Sequence, residues 1–150
     1  MKPIESINLF LQQPQIAVVG VSRNKIKFGN TVYQTLKKKG ISVIPVNPHM
    51  THFDGDTCFS SIETLPPGVN ALFVNTPPES TVKIVKSAYK KGIQHMWLQQ
   101  GSSNDEVINY LKGTDVNYIS DRCIMMFAEP VGSFHKIHRF FSKITGNFPK

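Results

Sequence analysis

The sequence predicts an α/β fold in which five parallel strands form a doubly wound sheet with helices on both faces. Short apolar runs rich in β-branched residues, the first of which ends at Gly20, are typical of buried parallel strands. Segments of helical periodicity separate these runs, and such alternation favours a parallel sheet. The predicted strands comprise residues 16–19, 41–47, 70–75, 93–98 and 116–119.

The predicted helices begin and end at recognisable signals. The helix after the first strand carries lysines 37–39 in its last turn, where cations compensate the helix dipole, and Gly40 follows as the C′ residue. We interpret these lysines as solvated charges, with ligand binding as the alternative. Segment 48–67 is predicted to be a loop with a short helical turn at about 60–65. The predicted helices are residues 5–12, 31–39, a segment from Pro78 to a stop at Gly92, and 103–112, capped by Ser102 or Ser103.

A further amphipathic helix is predicted near the C-terminus, at about residues 133–145. Its apolar residues recur at helical spacing, and basic residues lie elsewhere around the helix. Such a helix could dock on the sheet, form a homo-oligomer or bind another protein, or touch a membrane surface. Burial against protein is the favoured interpretation.

The loop after the first strand has the composition of an anion site. Ser22, Arg23, Asn24, Lys25 and Lys27 follow the Gly20 hinge and precede a helix. The free N–H groups and positive dipole end of that helix would face the loop, so a phosphate there would meet donors and positive potential together.

The same loop departs from the dinucleotide-binding pattern G-x-G-x-x-G. Its second and third glycine positions hold Ser22 and Lys25. The second strand ends at Asn47 and Pro48, without the carboxylate that usually binds the ribose of a nicotinamide nucleotide. An NAD site is therefore disfavoured, whereas a ligand with several phosphates is favoured.

Five motifs in order resemble the CoA-binding domain family. They are IAVVGVSRNKIKFGN at 16–30, VIPVNP at 43–48, NTP at 75–77, WLQQG at 97–101 and DRCIM at 121–125. This family includes stand-alone bacterial proteins and, more distantly, the N-terminal domain of succinyl-CoA synthetase α-subunits. The resemblance implies a single Rossmann-like CoA-binding domain over residues 1–150, with its core at about 15–126 and a helical extension at about 133–145.

The resemblance also implies which residues bind the cofactor. The loop at 20–25 would hold the CoA phosphates, Asn47 and Pro48 would lie by the ribose and adenine, and the later loops would border the remainder. The adenine and pantetheine ends could also be apportioned differently. Strand-end loops of a parallel sheet share one edge, where ligands bind. The implied residues are Gly20, Val21, Ser22, Arg23, Asn24, Lys25, Phe28, Gly29, Asn47, Pro48, Thr76, Pro77, Gln100 and Gly101.

One departure from the family concerns the 3′-phosphate. Relatives often carry a lysine shortly after the Asn-Pro pair, but this chain has His49, Met50, Thr51 and His52. A protonated His49 or His52 could replace that lysine, because an imidazole beside a phosphate favours its charged form. The alternative for each is an exposed loop histidine with no partner.

Cys123 admits two interpretations. It follows Arg122, and a cation facing the sulfur would favour the thiolate and a mixed disulfide with the ligand thiol. The favoured interpretation is a buried structural cysteine, because cysteine is among the most buried residue types.

Composition narrows the class of protein. A chain of 150 residues with 40% hydrophobic and 18% charged residues fits one globular domain. The net charge of +7 favours anionic partners, but no recognised motif supports nucleic acid. The two cysteines lack metal-ligand spacing, so no metal site is predicted. No apolar segment could span a bilayer and the first residues lack signal-peptide features, so a cytoplasmic protein is expected.

The predicted function is binding of coenzyme A or an acyl-CoA, without transforming it, as a carrier, sensor or regulatory partner. No catalytic residue is predicted, because the sequence lacks a Ser-His-Asp order, paired catalytic carboxylates and a P-loop. The first alternative is an NAD(P)-binding enzyme or redox sensor, because the 2′-phosphate of NADP would suit the basic loop after the first strand. A nucleic-acid-binding protein is the second alternative.

Overall fold

The computed structural model describes residues 3–128, and the helix predicted at 133–145 lies outside them. Five parallel strands form the main sheet, and a small hairpin follows the second of them. The strands are β1 (Ile16–Val19), β2 (Val43–Val46), β3 (His52–Phe53), β4 (Asp56–Thr57), β5 (Ala71–Val74), β6 (His95–Gln99) and β7 (Asn117–Arg122). The helices are α1 (Pro3–Leu11), α2 (Phe28–Lys38), α3 (Pro78–Lys91) and α4 (Asp105–Lys112), followed by a 3₁₀ turn at Ile124–Met126.

The sheet has the order β2-β1-β5-β6-β7, which confirms the doubly wound parallel fold. Helices α1 and α2 pack on one face, and α3 and α4 pack on the other. The order of strands reverses between β1 and β5, and in open sheets of this kind ligands bind beside that reversal, at the carboxyl ends of the strands.

A cluster of aromatic rings fixes α1 and the end of the described chain to the sheet. Trp97 is fully buried, and its ring centroid lies 5.4 Å from that of Phe10 and 5.7 Å from that of Phe127. Its indole N–H donates to the Arg122 carbonyl at 2.9 Å. This bond satisfies the one polar atom of a buried indole.

Several element boundaries differ from the predictions, among them the start of α2, the start of α4 and the end of β7. Helix α2 begins at Phe28 instead of residue 31, so the segment 28–30 belongs to its first turn. Asn104, not Ser102 or Ser103, caps α4, because its side chain accepts from the Val107 N–H at 3.0 Å. Strand β7 continues to Arg122 through a bulge at Asp121, whose φ is 55°, so part of the segment predicted to follow the strand lies within it.

The prediction of a loop across 48–67 was wrong for residues 52–57. Strands β3 and β4 pair there as an antiparallel hairpin. Asp54 and Gly55 form its turn with φ values of 52° and 82°, the left-handed conformations that a two-residue Asp-Gly turn requires. The predicted turn at about 60–65 is present as a single turn. The Leu65 N–H donates to the Ile62 carbonyl at 3.2 Å, and the Thr64 hydroxyl donates to the Ser61 carbonyl at 2.9 Å.

Candidate functional site

Two glycines let three backbone segments meet where the sheet order reverses. Gly20 has φ = 122°, and a Cβ there would lie 2.5 Å from the Asn75 carbonyl oxygen. A Cβ on Gly29 would lie 2.2 Å from the Gly20 carbonyl oxygen. No side chain fits at either position. Glycine at both positions therefore allows the ends of β1 and β5 and the start of α2 to approach one another closely.

Asn30 fixes the conformation of the basic loop after β1, which contains Ser22, Arg23, Asn24, Lys25 and Lys27. It is 5% exposed, and its side-chain oxygen accepts from the Ser22 N–H at 2.7 Å. Its amide nitrogen donates to the carbonyls of Ser22 at 2.8 Å and Asn24 at 3.0 Å. Sequence reasoning did not select Asn30 as a site residue; the available signal was an asparagine in a helix that directly follows a basic loop.

Asn47 links the loop after β2 to the loop after β1. Its side-chain nitrogen donates to the Val21 carbonyl at 2.8 Å, and its oxygen accepts from the His49 N–H at 2.8 Å. The structure therefore gives this amide a role in holding the two loops together. Val21 contributes its backbone, because its side chain is buried in the core.

A basic cleft of about 680 Å³ lies between the β1–α2 loop and the hairpin. The Arg23 guanidinium is oriented by a 2.7 Å hydrogen bond from Nη2 to the His49 carbonyl. His52 lies in this cleft, whereas His49 lines a neighbouring one. The lining of the basic cleft comprises Ser22, Arg23, Lys25, Asn30, Gln34, Met50, Thr51, His52, Phe53 and Asp54.

A polar cluster behind the cleft, here named the hairpin clasp, comprises Tyr33, Lys37, Asp54 and Asp56. Asp56 Oδ2 accepts from the Tyr33 hydroxyl at 2.5 Å and from Lys37 Nζ at 2.6 Å. Lys37 Nζ also lies 3.4 Å from Asp54 Oδ2. Lys37 is therefore an ion-pair partner of the hairpin and not simply the solvated charge that the sequence suggested.

The clasp shifts the pKa of its members in the directions that these contacts dictate. Burial, and then the hydrogen bond to Asp56, raise the pKa of Tyr33 well above its usual value. The hydrogen bond to Asp56 raises the pKa of Lys37, and the bonds from Lys37 and Tyr33 lower the pKa of Asp56. The clasp thus holds a neutral phenol and an ion pair over the neutral pH range.

A second, apolar cleft of about 350 Å³ lies at the ends of β1 and β2 against α3. Thr76 lines it, and its hydroxyl lies 2.8 Å from that of Thr81, which fixes its orientation. Pro48 lines the same cleft. Pro48 was predicted to lie by the ribose and adenine and Thr76 to border the remainder of the ligand, so residues predicted for different parts of the ligand share one cleft. The lining comprises Val19, Val46, Pro48, Ser60, Ser61, Ile62, Glu63, Thr76, Ser80, Lys83, Ile84 and Ser87.

The remaining predicted site residues lie around these clefts. Asn24 forms the turn of the basic loop, and Phe28, 37% exposed, opens α2 beside it. Pro77 precedes α3. Gln100 and Gly101 are exposed after β6 and belong to the lining of neither of the two clefts described.

The two cysteines differ in their surroundings. Cys123 is half-buried between β7 and the 3₁₀ turn. Cys58 is buried, and burial raises the pKa of its thiol. Within residues 3–128, no His, Cys, Asp and Glu side chains group as a metal site, and no helix of that part is long and apolar enough to cross a membrane.

Comparison with known proteins agrees with this fold and its motifs. The chain is 27% identical over 110 residues to the uncharacterized protein YneT of Bacillus subtilis, covering 73% of this chain and 82% of that protein. It is 34% identical to a conserved hypothetical protein of Pyrococcus furiosus of known structure, with a TM-score of 0.71, covering 73% of this chain and 95% of the other.

A larger enzyme contains a similar segment. The chain is 28% identical over 79 residues to acetate–CoA ligase (ADP-forming) I of Archaeoglobus fulgidus, which is 53% of this chain but 12% of the ligase. Residues 14–129 match the CoA binding domain, a span that includes all five motifs. The chain therefore belongs to the CoA binding domain family.

Proposed function

We propose that this protein binds coenzyme A or an acyl-CoA at the carboxyl edge of its sheet. The observation that carries the proposal is the basic cleft beside the reversal of strand order, in a chain of the CoA binding domain family. Arg23 and Lys25 line this cleft, and a polyanionic ligand would neutralise them.

The start of α2 supplies further affinity for phosphate. Lys27 precedes the helix, and among the described residues no side chain caps it. The first N–H groups of a helix have no partner within the helix, and its dipole favours negative charge there. The diphosphate of CoA would therefore lie along the β1–α2 loop, here named the loop wall of the basic cleft, between the start of α2 and the side chains of Arg23 and Lys25.

The apolar cleft suits an uncharged part of the same ligand. Val19, Val46 and Ile84 contribute apolar surface to this cleft. Pro48 and Thr76, in loops that follow strands, also line it. Adenine and the pantetheine arm both have apolar surface that such a cleft would bury. A ligand that joins phosphates to uncharged adenine and pantetheine groups would use both clefts.

We further propose that the chain binds its ligand without transforming it. The similar segment is a small part of the acetate–CoA ligase. This proportion favours a binding role for the segment, with the chemistry of the ligase located elsewhere in that larger protein. A carrier, sensor or regulatory role fits a domain that only binds.

Calorimetric titration tests the proposal. Purified protein is titrated with CoA, acetyl-CoA, NADH and NADPH at one salt concentration, after a denatured sample has been analysed for copurified ligand. We expect saturable binding of CoA or acetyl-CoA and much weaker binding of both nicotinamide nucleotides. Binding of NADPH alone would contradict the proposal and would favour Arg23 and Lys25 as a clamp for a 2′-phosphate.

A further inference from the structure

The hairpin wall of the basic cleft depends on the hairpin clasp for its position. Each strand of the hairpin has two residues, and an isolated two-stranded hairpin is marginally stable in water. Lys37 Nζ donates to the Asp54 carbonyl at 2.9 Å in addition to its contacts with the two carboxylates. The Phe53 ring packs edge-on against Tyr33, with centroids 5.2 Å apart. These contacts fasten the hairpin to α2.

The clasp acts on the cleft indirectly. His52, Phe53 and Asp54 line the cleft, but Tyr33 and Lys37 do not. Any effect of Lys37 on a ligand must therefore pass through the hairpin or through the charge of Asp54. The second route matters because Asp54 places a carboxylate in a cleft that is otherwise basic. Lys37 Nζ lies 3.4 Å from this carboxylate and 2.6 Å from that of Asp56, so its charge offsets part of the charge of both. Without Lys37, Asp54 would repel a phosphate more strongly.

We infer that the clasp positions the hairpin wall and partly neutralises Asp54, so that the cleft accepts a second phosphate in addition to a diphosphate on the loop wall. The two walls offer separate groups: Arg23 and Lys25 on the loop, and His52 on the hairpin. CoA has the matching chemistry, because its 3′-phosphate is separate from its diphosphate. Tyr33 and Lys37 are thus positioning residues for ligand selectivity. This inference rests on the proposed function.

The test compares CoA with dephospho-CoA, which lacks only the 3′-phosphate. Lys37→Met removes the clasp cation, Lys37→Arg retains a cation, and Lys38→Met is the matched control, because Lys38 is exposed on the same helix and lines neither cleft. We expect Lys37→Met to weaken CoA binding about tenfold, because the hairpin wall is no longer held and the charge of Asp54 is no longer partly offset, and to change dephospho-CoA binding less than about twofold. Lys37→Arg should restore the preference for CoA, and Lys38→Met should leave it intact.

Tyr33→Phe is a second variant, because it keeps the buried ring and removes only the hydroxyl that bonds Asp56. It should reduce the preference for CoA over dephospho-CoA without abolishing binding. A purely structural clasp would weaken the binding of both ligands equally. Wild-type binding of CoA with an unchanged preference in Lys37→Met and Tyr33→Phe would overturn the inference and leave the proposed function intact. A wild-type protein that binds neither ligand would overturn both.

Discussion

The two clefts at the carboxyl edge of the sheet are built from different kinds of contact. The apolar cleft is walled by Val19 and Val46 at strand ends, by residues of α3 and by the segment 60–63, so it is formed by the sheet edge and the segments packed against it. The basic cleft depends on Asn30 for one wall and on the hairpin clasp for the other. The sheet topology places the strand-end loops on one edge, whereas polar contacts among the β1–α2 loop, α2 and the hairpin shape the basic cleft.

The largest expected effect comes from breaking the junction that both clefts share. Gly29→Ala would place a methyl group 2.2 Å from the Gly20 carbonyl oxygen, and α2 would have to move away from β1. We expect the free energy of unfolding to fall by about 3 kcal/mol or more, measured by urea denaturation. Gly113→Ala is the matched control, because its Cβ would lie 3.4 Å from the Tyr110 carbonyl oxygen; it should change stability by less than about 0.5 kcal/mol. Equal effects of the two variants would contradict the close contact at Gly29.

The next effect should be confined to the basic cleft. Arg23→Ala combined with Lys25→Ala removes the cations of the loop wall. Because both side chains are exposed, we expect CoA affinity to fall by about tenfold to hundredfold rather than more, and its salt dependence to become shallower. Titration at several salt concentrations measures both quantities. The charge-matched control is Lys38→Ala with Lys112→Ala, at exposed positions outside the two clefts; an equal loss in that variant would indicate a general charge effect.

A smaller and different effect should follow from filling the apolar cleft. Ser80 is exposed at its edge on α3, and Ser80→Trp would place an indole in the space. We expect CoA affinity to fall about tenfold with an unchanged salt dependence, because no charge is altered. Asn109→Trp, at an exposed position on α4, should have no effect on binding. If Ser80→Trp binds CoA like the wild type, the ligand does not occupy the apolar cleft.

The smallest expected effect concerns pH and reports on the burial of Tyr33 and its bond to Asp56. Tyr33 keeps its proton in the folded protein at pH values where an unfolded tyrosine loses it, because its pKa is raised from 10.0. Its contribution to stability is therefore complete below about pH 10 and decreases as the pH rises further. The raised pKa of Lys37 acts in the same direction.

The measurement is the free energy of unfolding of the wild type and of Tyr33→Phe between about pH 8 and about pH 11. The wild type should lose more stability than the variant across this range. Parallel curves would show that neither burial nor the bond to Asp56 raises the pKa of Tyr33 in the folded protein.

The sequence was sufficient to predict the sheet because its signals are local. The apolar runs predicted β1 and β5, and Gly92, with φ = 88°, ends α3 as predicted. The hairpin also had a local signal in Asp54 and Gly55, but its strands are too short to show alternating apolar residues. Boundaries such as the start of α2 were less predictable, because no capping side chain marks it.

The internal architecture of the candidate site could not be predicted in the same way. The bonds from Asn30 to the loop span six or eight residues, and the bond from Tyr33 to Asp56 spans 23. Such contacts depend on how the loop, α2 and the hairpin are arranged in space, so neither composition nor spacing reveals them. His49 and His52 were equivalent in the sequence, and only the hairpin places His52 in the basic cleft.

The most direct measurement of the central claim is a crystal structure of the protein with CoA. We expect the diphosphate against the loop wall, within hydrogen-bonding distance of Arg23, Lys25 or the first N–H groups of α2, and the 3′-phosphate beside the hairpin. CoA bound with its phosphates away from the basic cleft would contradict the account, even if the affinity in solution were high.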